Sequence, residues 1–591
     1  MKRPIVYYAI SLFIGCISTL MLFQSIIAGA VITASLFAIF FFTLDKKFFI
    51  INILFFLIGA LSYMMYFDLK VPNSAEVRVI ENKGYYYIAN YKGRKLILNG
   101  KTTKLKEGQK LLISGKFKKE INYSRGIIGT YKVEKYTPYK KDFIHTLYDI
   151  KKNIYYSYKE SIGEEKAALV MSLCYGDTEY LTKSQKSDFQ EMGVFHAVSV
   201  SGFHMAIIYK VLESVIGLRC SIVVSFIYIL FTGLQASTVR AFIMILIFKL
   251  SKTVCKNYDG ISSLSFAALL ILFIKPYYIL DIGFTLSVLA TLGILIYYKK
   301  FLRMMHRMPE MINKSLSVTL SSQIFSVPYT AFTIQNFSGG FILGNLFLLP
   351  MYSVIVIVGN LALLVGSIKP IFSFFSAILN LMFTAIEGAN YLILRLCPPV
   401  SYLGYMEGIA LIIIYISYLL YERGYKQYKY LPIFVLFIML CGTYSFIPKV
   451  YHMDFFKGEA VVIKYKADKI LICNYDQASA KEVINLKEYM NISKVISNPK
   501  EKVNIKLNND LYLKVIPYHE KINLCIYSGK ERFMFINNST NGKDLAVFNS
   551  YDTVNFSQGS RLSNSLRNGY DDYKENCHLY VIMFNRVVKL Y

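Results

Sequence analysis

The chain has 591 residues, 54% of them hydrophobic, and a formal net charge of +28. With a mean hydropathy of +0.40 and recurring apolar runs of membrane-spanning length, this excludes an ordinary soluble protein and predicts a polytopic α-helical membrane protein. Part of the positive charge is expected in short cytoplasmic loops, and the rest in two polar regions, where a basic face suits anionic lipid or a phosphate polymer.

Three apolar runs come first, at 4–22, 25–44 and 48–67. Met1-Lys2-Arg3-Pro4 has the charge of a signal peptide, but no small-residue cleavage site follows, which predicts an uncleaved first span. Lys2-Arg3 and Asp45-Lys46-Lys47 are expected inside, so residues 1–68 form N-terminal transmembrane helices and Asp68 emerges outside.

Residues 69–142 change character. Glu76–Ile80, Gly84–Asn90, Lys95–Leu98, Lys110–Phe117 and Thr130–Glu134 read as short strands, with Gly100 and Gly108 at reversals. Five strands in so short a stretch suit an extracytoplasmic OB-like β-barrel. Tyr85, Tyr86, Tyr87 and Tyr91 alternate with Lys92, Arg94 and Lys95, the mixture of ring and cation that holds single-stranded DNA; a lysine-rich barrel with core aromatics has the same composition. In residues 143–194 the first helix carries Ile150, Ile154, Tyr155, Tyr158 and Ile162 on one side and is expected to lie on the membrane surface.

The stretch Gly193-Val-Phe-His196-Ala-Val-Ser-Val-Ser201-Gly202-Phe-His204 opens the membrane region, 195–450. It brings two histidines, two hydroxyls and a glycine into an apolar run, where polar groups are costly and functional by default. A second island, Ser237-Thr-Val-Arg240-Ala241, follows. The basic segments 249–256, 299–314 and 422–429 should be inside. Counting back from Lys249 through runs at 237–248, 220–234 and 195–218 puts His196, Ser201, His204 and Arg240 in the outer part of the membrane, on the barrel's side. Ser237–Phe248 is short for a span, so a tilted, broken or re-entrant helix lining a cavity is expected. If every apolar run crosses, there are thirteen, and residues 451–591 start outside.

In 451–591 strands return at Ala460–Tyr465, Lys469–Cys473, Leu511–Ile516, Ile522–Tyr527 and Arg532–Ile536, with helical material near Ser479–Met490. This is an α/β domain. Six of the nine cysteines (Cys16, Cys174, Cys220, Cys255, Cys397, Cys441) fall in or beside apolar segments as small core residues. Two of Cys473, Cys525 and Cys577 would be able to bridge in an oxidising exterior.

Gly193-x-x-His196, Ser201-Gly202-x-His204, Arg240-Ala241, Leu173-x-x-Gly176-Asp177 and Asp281-x-Gly283-Phe284-x-Leu286-Ser287, in this order and with Ala290, Gly293, Gln323, Pro328, Asn345 and Pro350, resemble the ComEC family of competence proteins. That resemblance implies a membrane channel for single-stranded DNA during natural transformation. It makes His196, Ser201, Gly202, His204, Arg240, Asp177, Asp281 and Ser287 residues of DNA passage or gating. It also implies a metallo-β-lactamase-like C-terminal domain, here degenerate. Where the family's ligand run belongs the chain reads Lys494-Val-Ile-Ser-Asn-Pro-Lys-Glu-Lys502, and Asp544–Asn549 stands where another ligand is expected. His452, His519 and His578 form no HxHxDH arrangement, so no metal, no cofactor and no nuclease activity are expected.

Residue by residue, three readings of the site compete: hydrogen-bonding glue between helices, a gate that neutralises passing phosphates, and a membrane-embedded hydrolase using Ser201 and His204 on a lipid- or wall-linked substrate. The last lacks a nearby acid, with Asp177 a distant candidate. No Gly-x-x-x-x-Gly-Lys-Ser/Thr occurs, so DNA movement would need a cytoplasmic ATP-driven motor and an extracellular DNA receptor as partners, besides membrane lipid. A homo-oligomer is compatible with all three.

Overall fold

The computed structural model describes residues 3–102, 105–198, 201–364, 366, 368–398, 400–455, 458–475, 483, 486, 490, 492, 494–499, 501–507, 511–518, 521–528, 531–537, 553–557, 577–583 and 586–589. They form two units: Met1–Tyr329 with Ser338–Val400, and Thr330–Phe337 with Ser401–Tyr591. Eight helices among the described residues have the length and apolar composition of a membrane span, one of them interrupted at Gly217, and the protein is a multi-pass membrane protein.

In the first unit, α1 (Pro4–Gln24), α2 (Ile26–Thr43) and α3 (Lys46–Phe67) are predominantly apolar. Glycines let α1 and α3 touch: a β-carbon on Gly15 would stand 2.3 Å from the Phe56 carbonyl oxygen, and one on Gly59 would stand 2.3 Å from that of Leu12. Such small-residue crossings replace the hydrophobic effect inside a bilayer. A buried Ser11–Asn52 hydrogen bond of 2.8 Å adds to the seam.

The chain then builds a closed five-stranded barrel from β1 (Ser74–Asn82), β2 (Tyr87–Tyr91), β3 (Arg94–Gly100), β4 (Lys110–Lys118) and β5 (Ile127–Pro138). The strand order is β1-β2-β3-β5-β4, with β3 and β5 parallel. Alternation turns Val77, Val79, Ala89, Leu96, Leu98, Leu111, Ile113 and Val133 inward. Lys92 and Gly93 both take positive φ (49° and 83°), the geometry a two-residue hairpin needs to match strand twist.

Next come α4 (Phe143–Ile162), α5 (Glu164–Tyr175), α6 (Lys183–Glu191), α7 (Phe195–Val198), α8 (Gly202–Phe231), α9 (Ala236–Thr253), α10 (Gly260–Ile274), a 3₁₀ turn at Pro276–Leu280, α11 (Ile282–Met304), α12 (Glu310–Thr333), α13 (Phe341–Leu364) and α14 (Lys369–Leu396). The apolar face of α4 packs against the protein. Ile154, Tyr155, Tyr158 and Ile162 join one core with α5, α13 and α14, and the Tyr158 hydroxyl donates to the Gly359 carbonyl at 2.8 Å. Of the expected stripe only Ile150 is exposed, at 42%.

Gly217 breaks α8 with φ 75° and ψ 175°. Met205 and Ile229, on either side of the break, share one small apolar cluster with Ala241. A straight helix would hold them about 36 Å apart, so α8 folds back on itself. Each arm is about 15 residues, roughly 22 Å of axis, short of the roughly 30 Å of hydrocarbon a full span crosses. The expected runs 195–218 and 220–234 are therefore α7 plus one helical hairpin.

In the second unit β6 (Asn336–Phe337) pairs with β7 (Ser401–Tyr402), followed by α15 (Tyr405–Glu422), a 3₁₀ turn at Lys426–Tyr430 and α16 (Leu431–Thr443). The remaining strands are β8 (Ser445–Phe455), β9 (Gly458–Lys466), β10 (Asp468–Tyr475), β11 (Lys494–Ser497), β12 (Val503–Lys506), β13 (Leu511–Tyr518), β14 (Lys521–Ser528), β15 (Glu531–Asn537), β16 (Thr553–Ser557), β17 (Cys577–Met583) and β18 (Arg586–Lys589). They make a six-stranded sheet, β11-β10-β9-β8-β17-β18, and a five-stranded sheet, β12-β13-β14-β15-β16. Val450, Val461, Ile463 and Ile472 of the first pack against Leu513, Val515, Leu524 and Ile526 of the second. The buried Glu459 carboxylate ties the layers by accepting from the Ile522 amide at 2.8 Å, with His452 Nε2 3.5 Å from it.

Most of the helix expected at Ser479–Met490 lies outside the described residues, as do His519 and Asp544–Asn549; Val483, Leu486 and Met490 are helical. Cys473 is buried and takes part in no disulfide.

Candidate functional site

The turn after α6 is wedged against the start of α13. Gly193 takes φ +66°, and a β-carbon there would come within 2.7 Å of the Phe341 backbone; one on Gly344 would stand 2.5 Å from the Met192 carbonyl oxygen. Only glycine fits at either position, and this interlock fixes α7, which carries His196. His196 is exposed. Ser199 and Val200 lie outside the described residues, and Ser201 then caps α8 in an extended conformation.

The Ser201 backbone amide donates to His204 Nδ1 at 3.3 Å. An amide only donates, so Nδ1 accepts and the neutral ring carries its proton on Nε2. His204 is 0% exposed, and Nε2 has no hydrogen-bond partner among the described residues.

Arg240 approaches the same helix start from α9. A β-carbon on Gly202 would stand 2.7 Å from Arg240 Nη2 and 3.2 Å from Ala241 Cβ, so the glycine makes room for the guanidinium. Arg240 is 8% exposed. Its Nε donates to Ser287 Oγ of α11 at 2.9 Å, and Nη1 meets the Met244 sulfur at 3.5 Å. No acidic side chain pairs with it among the described residues. Met244, one helical turn beyond Arg240, is a site residue that sequence reading passed over; the i,i+4 spacing is the signal that finds it. Farther along, the Lys249–Glu213 pair shows that α9 and the first arm of α8 run side by side in one direction.

One locus therefore gathers Ser201, Gly202, His204, Arg240 and Ser287. His196 lies within electrostatic range of His204 but on the separate helix α7. Asp281 stands apart: its carboxylate caps α11 by accepting from the Phe284 amide at 2.7 Å. Asp177 stands apart too, 3.1 Å from Lys151. It belongs to an acidic group beside the barrel, where partial burial and the neighbouring Glu107 and Asp177 push the Glu179 carboxyl up to about 7. Ser201 meets His204 Nδ1 through its backbone amide rather than through its hydroxyl, which is no nucleophile–base arrangement. An arginine, an imidazole N–H and a helix N-terminus meeting without a carboxylate form a donor set for an anion.

The barrel residues divide. Tyr85 is 100% exposed and Lys92 is exposed at the β2–β3 turn. Tyr87 is half-buried and Tyr91, 5% exposed, is core. Arg94 is committed to the end of α3, donating to the Tyr66 and Met65 carbonyls at 2.8 and 2.9 Å. Lys95 lies 5.1 Å from the Tyr277 ring; burial draws its pKa down, countered in part by Asp281. Arg94 and Lys95 thus seat the barrel on α3 and on the turn before α11.

Among the described residues, no group of three or more His, Cys, Asp or Glu is placed to hold a metal. Asn498, after β11, spends its side-chain oxygen on the Tyr475 amide at 2.9 Å.

The Competence protein family matches residues 173–421. ComE operon protein 3 of Bacillus subtilis (strain 168) is 21% identical over 231 residues, which cover 38% of this chain and 29% of that protein. No solved structure matches the chain. The matched segment carries His196, His204, Arg240 and Ser287, and over it the chain is similar to the ComEC-type competence proteins.

Proposed function

We propose that the protein is a passage for single-stranded DNA entering the cell during natural transformation, with phosphates of the strand meeting His204 and Arg240 on the way. One observation carries the reading: at the start of α8, among the described residues, a buried arginine has no carboxylate partner and a buried imidazole N–H has no acceptor. Unpaired buried charge costs several kcal/mol, and a passing polyanion would offset that cost transiently. Short, folded-back helices whose N-termini face a cavity are how membrane proteins present anion sites at depth.

The other parts follow from this reading. Strand order β1-β2-β3-β5-β4 with a parallel β3–β5 pair supports an OB-type barrel, on which exposed Tyr85 and Lys92 would guide the strand. The positive loops support an extracytoplasmic barrel and C-terminal domain. The two-layer sheet sandwich supports a metallo-β-lactamase-like scaffold. Its Lys494–Lys502 segment offers lysines and an amide already in use where metal ligands would be needed, so the residues do not fit a metal pair. An extracellular receptor and an ATP-driven motor would complete the route.

The test is uptake of labelled DNA in a transformable strain whose own channel gene is deleted, complemented with His204→Ala or Arg240→Ala. Loss of a charge-assisted hydrogen bond, about 1.5–3 kcal/mol, predicts a tenfold or greater fall in internalised DNA with surface-bound DNA unchanged. Normal uptake alongside a lost lipid- or wall-processing phenotype would instead assign the site to a hydrolase.

A further inference from the structure

The outward faces of the two C-terminal sheets differ in kind. On the six-stranded sheet that face carries Met453, Ala460, Val462, Leu471 and Cys473, and Val483, Leu486 and Ile492 pack over it. On the five-stranded sheet the inward positions are as apolar as any core, with Leu511, Leu513, Val515, Leu524 and Ile526. The alternate positions are mixed: Cys525, opposite Lys514, is buried, whereas Asn504, Lys506, Tyr512, Lys514 and Tyr527, with Ile505, line an open concavity of about 510 Å³, with no carboxylate among the described residues that line it.

The register explains how the face is assembled. Tyr512 lies directly opposite Tyr527 across β13 and β14, and their rings stack with centroids 4.4 Å apart and planes within 8°. On its other flank Tyr512 faces Lys506, and Lys514 faces Asn504. Tyr512 keeps 45% of its surface exposed. A cross-strand ring pair stabilises a sheet, but that need is met equally by a pair under an apolar cover. Here Tyr512 stays partly exposed in a concavity it shares with Lys506 and Lys514, and an apolar helix cannot cover those ammonium groups without stranding them.

We propose that the outer face of β12–β14 binds single-stranded nucleic acid, a base extending the Tyr512–Tyr527 column while Lys506 and Lys514 hold the flanking phosphates. Ring for base and cation for backbone is the combination that binds single strands without reading sequence, and the positive chain supplies the charge complement. The choice of ligand rests on the cargo proposed above; the surface itself is independent of the passage site.

The chain contains no tryptophan, so Tyr512→Trp makes one fluorescent reporter on this face. Full-length protein in detergent is titrated with short oligothymidylate, with duplex DNA and with heparin. The expected result is quenching by oligothymidylate but not by heparin or duplex, weakened about tenfold by Lys506→Glu with Lys514→Glu. Tyr527→Trp reports from the same column should the first variant fail to fold. No quenching from either reporter, equal quenching by heparin, or indifference to the charge reversals overturns the proposal. Adding Arg240→Ala separates the two ideas. Quenching that persists when uptake is insensitive to Arg240 sinks the passage reading alone, and absent quenching with Arg240-dependent uptake sinks this one alone.

Discussion

Gly202→Ala tests the site without removing any of its polar groups. The added methyl would stand 2.7 Å from Arg240 Nη2 and 3.2 Å from Ala241 Cβ. The nearer obstacle is the far end of a flexible side chain, so the backbone can stay put while the guanidinium gives way. Restoring an ordinary contact of about 3.5 Å moves Nη2 by about 0.8 Å. Carried along the rigid guanidinium plane, that shift takes the 2.9 Å bond to Ser287 beyond hydrogen-bonding range. Loss of an ionic hydrogen bond, about 1.5–3 kcal/mol, corresponds to roughly 10- to 150-fold in the rate of a step that uses Arg240. The assay pairs nuclease-protected uptake of labelled DNA with thermal unfolding of purified protein. Gly202→Ala should lose uptake with a smaller fall in unfolding temperature than Gly193→Ala. Gly193→Ala meets the Phe341 backbone at positive φ and should lower both. Normal uptake in Gly202→Ala, or a loss of stability as large as that of Gly193→Ala, would refute the reasoning.

Other consequences follow in the same unit and beyond it. Tyr91→Ala should destabilise the barrel by about 3–5 kcal/mol, as large core aromatics do, whereas Tyr85→Ala should leave melting unchanged and weaken oligonucleotide binding in a gel-shift assay. Glu179 has a folded pKa of about 7, above the usual carboxylate value near 4.3. Its contribution is therefore full below about pH 4 and lost as pH rises through 7, and Glu179→Gln should flatten the melting profile over that window and raise the melting temperature at pH 8. Arg78 holds the Asp142 carboxyl well below its ordinary range. That pair should stabilise the junction between barrel and α4 at neutral pH and fail only as pH drops below about 4, a loss that Asp142→Asn abolishes in acid unfolding curves. Purified protein with Mn²⁺ or Zn²⁺ should leave labelled DNA intact on a denaturing gel; metal-dependent degradation would restore a nuclease.

The barrel was legible because alternation and turn glycines are local signals. The segments Glu76–Ile80, Lys95–Leu98 and Lys110–Phe117 lie within β1, β3 and β4, and the strands read at Ala460–Tyr465 and Leu511–Ile516 lie within β9 and β13. What a barrel residue does was less legible, because tyrosine and arginine serve core and surface alike. Tyr91 went inward, and Arg94 took up the carbonyls at the end of α3, for reasons set by a helix far away in sequence. The α8 hairpin was half visible: two runs were expected, but Gly217 is one glycine in an apolar stretch, and the reversal rests on Met205 meeting the region of Ile229. Depth counting put His204 and Arg240 at one level, and Arg240 does reach Gly202 beside His204; it said nothing of Asp281 and Asp177, since a carboxylate before a helix reads equally as a cap, which is what Asp281 is. The face of Tyr512 and Tyr527 escaped notice because each tyrosine is unremarkable alone, and only the register of β13 with β14 makes them a pair.

The central claim is that a polyanion passes the start of α8. Phe203, between Gly202 and His204 and 51% exposed, can carry a benzophenone side chain without displacing either polar group. Illumination while labelled DNA is being taken up should then attach the strand to the protein at that position, and Arg240→Ala should abolish the adduct. Uptake that proceeds at the normal rate with the benzophenone joined only to lipid or protein would contradict the account.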